Sequence, residues 1–269
     1  MLLKAARFIK SKWYANKVEK FERFEDAEKR STLNAYQNKE LCDVVAKKTL
    51  KKIKSFEKEG FKANSSNIFL PAAICKVFYE TGKKKLNIVD FGGACGLHFF
   101  ETKTFFKDFL NVDWIVVETA QMIKSAKEAG IKNDGLFFES DFSNTGKRSD
   151  LLFSSGALQC VENPYELLCE MIKLEPLYIL LNRMSLNEKD YEIVTVQKSR
   201  LSENGPGELP EGYADKIVKY PQTNISINKF LNIIQSDYNV EWEFDDDSGV
   251  HKIPGENIIG KGYLFKRKD

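Results

Sequence analysis

Residues 86–96, LNIVDFGGACG, are the stretch that decides which fold this sequence predicts. A short apolar strand ends there at Asp90, and a turn of small residues follows it. These small residues are Gly92, Gly93, Ala94 and Gly96. Glycines directly after a strand let the backbone come close to a nucleotide-like ligand, and the next helix offers its N-terminal amides there. The spacing is D-x-G-x-G-x-G with alanine in the middle, whereas the dinucleotide fingerprint G-x-G-x-x-G would need glycine in place of Leu97.

Short apolar strands alternate with helices on the C-terminal side of this motif. Further strands are predicted at 114–118, 136–140, 150–156 and 178–183, with helices at 97–110, 119–130 and 164–174. Continuous apolar strands in alternation with helices indicate a mostly parallel sheet that is covered on both faces. The last two strands, 240–244 and 262–267, are expected to pair antiparallel. The predicted fold class is therefore α/β, a Rossmann-like sheet of seven mostly parallel strands with one antiparallel strand near its edge.

The segments outside this alternation are less regular. Within the first thirty residues, Leu2, Ala6, Ile9 and Trp13 share one face of a predicted basic helix, which either packs on the domain or lies on a membrane surface. A second, lysine-rich helix is predicted at 32–58, with Gly60 as its stop. After Met184 the pattern predicts an extra strand at 192–197, a Gly/Pro-rich loop at 203–212 and a helix capped by Ser226.

Composition narrows the classes of protein that fit. Lys and Arg number 41 against 39 Asp and Glu, and the resulting net charge of +2 gives no strong field for a nucleic acid. The five cysteines form no C-x-x-C pair, which favours reduced thiols in a cytoplasmic protein. With only His98 and His251 present, a multi-histidine metal centre is excluded, and we expect no metal. No secretory signal and no apolar run of membrane-spanning length is found.

Glu118 closes the second predicted strand, at the edge where ligands bind in such sheets. A carboxylate in that place can accept hydrogen bonds from both hydroxyls of a ribose. The alternative is a carboxylate that ends a strand in solvent. The fourth strand runs into residues 154–159, SSGALQ, which are expected to line the same crevice at the carboxyl edge of the sheet.

The motif DFGGACG resembles motif I of class I S-adenosylmethionine-dependent methyltransferases. With WIVVE, SSGALQCVENPYELL, LLNRMSL, VTVQ, the Tyr220–Pro221 pair and GYLFKR, it resembles a bacterial methyltransferase family associated with surface-polysaccharide (capsule or O-antigen) gene clusters. The similarity covers residues 86–266. It implies S-adenosylmethionine as methyl donor, S-adenosylhomocysteine as product, and a sugar-linked or other small polar acceptor, without identifying that acceptor. O-methylation is expected, and Arg183 together with the shortage of convincing bases makes a phosphate-like or phosphoramidate group one acceptor to test.

The resemblance also implies a domain organisation and a set of cofactor contacts. Residues 1–82 would form a helical cap, and residues 83–269 a methyltransferase domain in which an insertion at 184–225 roofs the acceptor site. The implied cofactor-binding residues are Asp90, Gly92, Gly93, Ala94, Gly96, Glu118, Asp141, Phe142 and Ser155. Of these, Asp141 follows the third strand, where such enzymes often contact the adenine amino group, and Phe142 would pack on the ring.

Two residues are candidates for the chemistry itself. His98 lies at the start of the helix after the glycine turn, where a base could take a proton and where the helix N-terminus is expected to keep the imidazole neutral. Arg183, at the end of the fifth strand, offers a planar fork for a phosphate or carboxylate. The alternatives are a structural histidine and a salt-bridged arginine. Further candidates for acceptor contacts are Gln159, Tyr165, Gln197 and Tyr220, each of which is individually more often structural.

Two other functions remain open at the level of sequence. A catalytically silent relative would bind the cofactor or a partner and act as a scaffold. An NAD-dependent oxidoreductase would require the glycine that is missing at position 97. The expected partner is a small-molecule or glycan-precursor substrate rather than a nucleic acid, and a homodimer is compatible with the chain although no seam specifies one.

Overall fold

The computed structural model describes residues 18–62, 67–246, 248, 250 and 252–269. The strands are β1 (Lys20–Phe21), β2 (Lys85–Phe91), β3 (Asn111–Val117), β4 (Leu136–Glu139), β5 (Leu151–Ser155), β6 (Tyr178–Asn187), β7 (Ile193–Arg200), β8 (Ile217–Ser226), β9 (Tyr238–Asp245) and β10 (Ile258–Arg267). The helices are α1 (Phe24–Lys29), α2 (Lys39–Glu59), α3 (Phe69–Thr81), α4 (Leu97–Phe106), α5 (Ala120–Glu128), α6 (Pro164–Lys173) and α7 (Ile227–Ile234). The basic helix predicted around Leu2 to Trp13 lies outside the described residues, as does His251.

Seven strands form the central sheet in the order β4-β3-β2-β5-β6-β10-β9. The pairs among β2, β3, β4, β5 and β6 are all parallel, and β10 runs antiparallel to both of its neighbours. The predicted sheet is confirmed, including its single antiparallel strand. The chain moves outward from β2 to β4, then returns to place β5 on the other side of β2. This reversal creates a crevice at the carboxyl ends of β2 and β5, where ligands bind in open α/β sheets.

Helices cover both faces of the sheet because the buried strands are apolar on both sides. Helices α2 to α5 pack with one set of strand residues, which includes Ile88, Trp114 and Phe153. Helices α6 and α7 pack on the opposite face with Val89 and Leu152. Two apolar clusters, one per face, therefore hold the crevice-forming ends of the strands in place.

A second, antiparallel unit extends the sheet at β6, and only one of its two long strands was predicted. Strands β1, β7 and β8 pair antiparallel, and β8 joins β6 in parallel where Leu186 faces Ile225. The strand predicted at 192–197 exists as β7, but β8 was not predicted. Its sequence, IVKYPQTNIS, is largely polar and contains a proline, so it carries no strand signal, although the structure buries most of it.

The N-terminal segment also differs from its predicted form. The second helix begins at Lys39 and not at Thr32, because the side chain of Asn38 caps it by accepting a hydrogen bond from the amide of Leu41. Its end at Gly60 is confirmed, with φ +66° at that glycine. Helix α3 was missed. Between β7 and β8, the carbonyls of Ser202 and Asn204 accept hydrogen bonds of 2.8 and 2.6 Å from the buried ammonium of Lys48, and this ties α2 to the antiparallel unit.

None of the helices in the described part of the chain is both long enough and apolar enough to cross a membrane.

Candidate functional site

The glycine turn after β2 is shaped by close contacts with the neighbouring strands. The amide of Gly92 donates to the carbonyl of Val117 at 2.9 Å, which joins the turn to the end of β3. A Cβ on Gly92 would lie 2.2 Å from the Cβ of Ala157, after β5, and its φ is +70°. Glycine is therefore required at this point both by space and by backbone conformation. The alanine of the motif, Ala94, also has a positive φ, +50°.

Glu118 and the glycine turn meet in the crevice. One carboxylate oxygen of Glu118 accepts a hydrogen bond of 3.2 Å from the amide of Ala94, and the other accepts one of 2.7 Å from the amide of Thr119. Burial raises the pKa of Glu118, and these two amide hydrogen bonds oppose the rise. A carboxylate has about four acceptor positions, so lone pairs remain for hydroxyl groups of a ligand. The arrangement suits a ribose.

Asp90 lies below the turn and is fully buried. Its Oδ2 accepts a hydrogen bond of 3.2 Å from the indole of Trp114 and lies 3.1 Å from Nδ1 of His98. Its Oδ1 has no hydrogen-bond partner among the described residues although it is buried. A buried carboxylate oxygen without a donor is costly, so it marks a place where a ligand or water supplies one.

His98 is positioned by Asp90, which was not anticipated from the sequence. Since Nδ1 faces a carboxylate, it carries the proton in the neutral ring, and Nε2 is left as the acceptor. Burial acts to lower the pKa of His98, but the charge and hydrogen bond of Asp90, aided by Glu101, raise it overall. The helix N-terminus was expected to keep this imidazole neutral, whereas the direction of the pKa shift favours the imidazolium. A full carboxylate charge at 3.1 Å outweighs the roughly half charge of a helix end.

Arg183 sits on a bulge of β6 beside the same crevice. Leu181 pairs with Tyr263 and Met184 with Lys261, so two β6 residues stand opposite one residue of β10. Arg183 has φ +54°, a left-handed conformation that costs a side-chain-bearing residue about 1–2 kcal/mol. Its side chain is exposed and has no ion-pair partner within the described part of the chain. Its charge acts to lower the pKa of His98. A Cβ on Gly156, directly after β5, would lie 3.5 Å from the Cβ of Arg183.

The other predicted cofactor residues lie around the turn. Phe142 has its ring centroid 5.7 Å from that of Phe91, the residue before the turn. Asp141 is exposed, and the hydrogen bonds that it accepts from Ser143 lower the pKa of its carboxyl group. Ser155 ends β5, opposite Asn182 of β6. The crevice therefore has Glu118, the glycine turn and Phe142 on one side and the ends of β5 and β6 on the other.

The four predicted acceptor contacts are placed differently from one another. The hydroxyl of Tyr165 donates to Glu192 at 2.7 Å and accepts from the amide of Ser226, so the protein satisfies it. The hydroxyl of Tyr220 donates to Asn204 at 2.7 Å. Gln197 lies across from Tyr220 on β7 and is partly exposed. Gln159 is buried and contacts the backbone of β6 through both ends of its amide.

Sequence analysis missed two residues of this region. Gln222 is on β8, on the strand face that carries Tyr220; it is 1% exposed, and neither atom of its amide has a partner among the described residues. Tyr36 stacks on Tyr220 with ring centroids 5.1 Å apart and donates a hydrogen bond to the carbonyl of Pro221. The alternation of residues 220, 222 and 224 was the only signal available for Gln222. Tyr36 precedes a helix and had none.

The order of the seven strands, with the glycine turn and Glu118 at the point where that order reverses, defines a class I methyltransferase fold. In the described ranges, no group of three or more His, Cys, Asp or Glu side chains is arranged to hold a metal ion.

Comparison with solved structures finds similar chains at low sequence identity. CalS10, an amino pentose methyltransferase from Micromonospora echinaspora involved in calicheamicin biosynthesis, is 11% identical over 77% of this chain and 93% of its own, with a TM-score of 0.49. DesVI of Streptomyces venezuelae is 10% identical over 76% and 93% of the two chains, with a TM-score of 0.47. An S-adenosylmethionine-dependent methyltransferase from Clostridium acetobutylicum is 13% identical over 74% and 91%, with a TM-score of 0.42. No family model and no curated protein matches the chain.

Proposed function

We propose that this protein is an S-adenosylmethionine-dependent O-methyltransferase that acts on a small polar or anionic acceptor. The observation that carries the proposal is the contact between Glu118 and the amide of Ala94, directly above the buried Asp90. It joins the two sequence features that bind a nucleoside at the reversal point of the sheet.

The residues present fit this cofactor. The free lone pairs of Glu118 would receive the ribose hydroxyls, and the ring of Phe142 would lie against the base. The unpartnered Oδ1 of Asp90 would accept a hydrogen bond from the ligand or from a water that it binds. When bound, S-adenosylmethionine supplies a methyl group on a sulfonium centre, and this chemistry belongs to the cofactor.

The chain's own part in the reaction is to orient the acceptor, remove its proton and exclude water. Nε2 of His98 would accept the proton of an attacking hydroxyl, while Asp90 holds the ring through Nδ1 and stabilises the imidazolium that forms. Arg183, without an ion-pair partner among the described residues, would hold an anionic part of the acceptor next to His98. Tyr220 of the antiparallel unit, with Tyr36 from the segment before α2 stacked on it, would cover the crevice, and Tyr220 lies in the expected roof at 184–225.

The acceptor that we propose is a sugar-linked oxygen or a phosphate-like group, such as a phosphoramidate, of a surface-polysaccharide precursor. The resemblance of residues 86–266 to the capsule and O-antigen family supports this choice. The exposed guanidinium of Arg183, which forms no ion pair with the residues that the structure describes, supports an anionic group in particular.

Calorimetry with the full chain tests the cofactor. We expect S-adenosylhomocysteine to bind and NAD⁺ not to bind, because Leu97 takes the place of the third glycine of a dinucleotide motif. A methyl-transfer assay then separates the enzyme from the alternatives. Binding of S-adenosylhomocysteine without transfer to any glycan precursor or phosphoramidate would support a silent scaffold. Binding of NAD⁺ alone would point to an oxidoreductase.

Inorganic phosphate, titrated into the protein saturated with S-adenosylhomocysteine, tests the role of Arg183. Arg183→Ala should weaken phosphate binding about tenfold or more, since a hydrogen-bonded charge contributes about 1.5–3 kcal/mol, and should leave S-adenosylhomocysteine affinity unchanged. The matched control is Arg200→Ala, which removes an exposed arginine of β7 that is paired with Asp215. Equal phosphate affinity in the Arg183 variant and the natural protein would contradict this role.

A further inference from the structure

One edge of β6 has a gap in its backbone pairing. β5 pairs with β6 as far as Asn182, and β8 pairs with it only from Leu186. In the gap, the side chain of Gln159 donates a hydrogen bond of 3.1 Å from Nε2 to the carbonyl of Arg183. Its Oε1 accepts one of 3.2 Å from the amide of Ser185. A single side-chain amide therefore satisfies the two backbone groups that a neighbouring strand would otherwise satisfy.

The bulge of β6 lies at the same point of the strand. Asn182 and Arg183 together stand opposite Gly262 of β10, and Arg183 takes the left-handed conformation there. Bulges of this kind redirect a side chain, because they interrupt the strict alternation of side chains between the two faces of a strand. Without the bulge, the side chain at position 183 would lie on the face of the sheet that regular alternation along β6 assigns to it.

We propose that Gln159 is a positioning residue, whose side-chain amide stands in for a strand between β5 and β8 and holds the β6 bulge that turns Arg183 towards the crevice. The sequence suggested that Gln159 contacts the acceptor. In this proposal it acts through Arg183 instead.

Gln159 is itself well fixed for this role. It is 5% exposed, in the short turn that follows β5. Just before it, the amide of Gly156 donates to the carbonyl of Asn182 at 3.0 Å, which joins the turn to the start of the bulge. On the far side, the hydroxyl of Ser185 donates to Asn224 of β8 at 2.7 Å. Buried polar groups that satisfy one another in this way specify a single backbone arrangement.

An effect of Gln159 on acceptor binding rests on the proposed function. The position of Arg183 can be tested without any acceptor, through the pKa of His98. The charges that act on the pKa of His98 are those of Asp90 from β2, Glu101 from its own helix and Arg183 from β6, and the ring of Phe153 lies beside it. Of these, only Arg183 is cationic. Movement of its guanidinium away from the crevice is therefore expected to raise the pKa of His98.

The experiment is a proton NMR titration of His98 in the full chain, which has only two histidines; His251→Gln assigns the signals. Arg183→Ala should raise the pKa of His98, and Gln159→Met should raise it as well. The double variant should match Arg183→Ala, because Gln159 has no second route to His98. Gln159→Asn, which keeps a buried amide but is one methylene too short to bridge residues 183 and 185, replaces Gln159→Met if that variant does not fold.

The matched control is Gln235→Met, an exposed glutamine directly after α7 that should leave the titration unchanged. The proposal is overturned if the pKa shifts of the two single variants add in the double variant, or if neither Gln159 variant shifts the pKa of His98. It is also overturned if Arg183→Ala leaves that pKa unchanged. Inorganic phosphate binding in the presence of S-adenosylhomocysteine is measured on the same variants. The pKa of His98 could shift as expected in all three variants while the affinity for phosphate stays unchanged. That result would support the positioning role of Gln159 and reject the anion-binding role of Arg183.

Discussion

Glu118→Ala should weaken S-adenosylhomocysteine binding by about 10- to 100-fold, since a hydrogen bond to a charged group contributes about 1.5–3 kcal/mol. The carboxylate accepts two backbone amides and lies at the mouth of the glycine turn, yet burial raises its pKa. A carboxyl group that is held in a buried place with a perturbed pKa is typical of a binding site. Calorimetry measures the dissociation constant, and circular dichroism checks that the variant is folded.

The matched control for Glu118 is the carboxylate that ends the next strand. Glu139→Ala removes a partly exposed side chain that accepts a hydrogen bond from Asn144 and does not contact the glycine turn. It should bind S-adenosylhomocysteine as the natural protein does. If both variants lose affinity equally, the loss reflects the strand ends in general and the ribose role of Glu118 is wrong.

The sequence predicted the parts of the site that are encoded locally. The turn after β2 and the carboxylate at the end of β3 are each defined by a strand and the residues that directly follow it, so spacing alone located them. The sheet was predictable for the same reason, because the apolar strands alternate with helices at regular intervals. Apart from helix α3, which was not predicted, the strands and helices that local patterns define agree with the fold.

The parts that escaped prediction depend on contacts between distant segments. β8 is polar in sequence and is buried only because it pairs with β7 and packs beside β6. The bulge at Arg183 arises from register with β10 and from a side chain 24 residues earlier in the chain. Gln222 would be expected on the surface because it is a glutamine, and Gln159 was expected to line the crevice, yet both are buried. Tertiary partners, absent from any local pattern, decide these features.

The interaction of His98 with Asp90 shows how such a contact can reverse a conclusion. Local reasoning considered the helix end and predicted a depressed pKa. The structure adds a buried carboxylate from β2, and the pKa is raised. A raised pKa makes His98 a stronger base but reduces its neutral fraction near neutral pH. The rate and the pH profile are therefore coupled through Asp90.

His98→Gln should reduce kcat for methyl transfer by about 10²- to 10⁴-fold, the usual contribution of a positioned general base. In the natural protein, kcat should rise with pH through a pKa above 6.5 and then level off, because only the neutral imidazole accepts a proton. Asp90→Asn removes the carboxylate that raises this pKa, so the rise should move to lower pH while the plateau falls. Production of S-adenosylhomocysteine, with whichever acceptor the methylation assay identifies, measures both effects.

The free energy of unfolding should fall with rising pH, in the direction opposite to kcat. Because the folded-state pKa of His98 is raised, its contribution to the free energy of unfolding is fully present below the unfolded value of 6.5 and is lost as pH rises through the folded value. The protonated pair with Asp90 is thus expected to be the more stable and the less active form. Urea unfolding at a series of pH values should show this dependence in the natural protein and lose it in His98→Gln. A pH profile of kcat that is identical in the two proteins would assign proton removal to another group, and an acceptor that arrives already ionised would then need only Arg183.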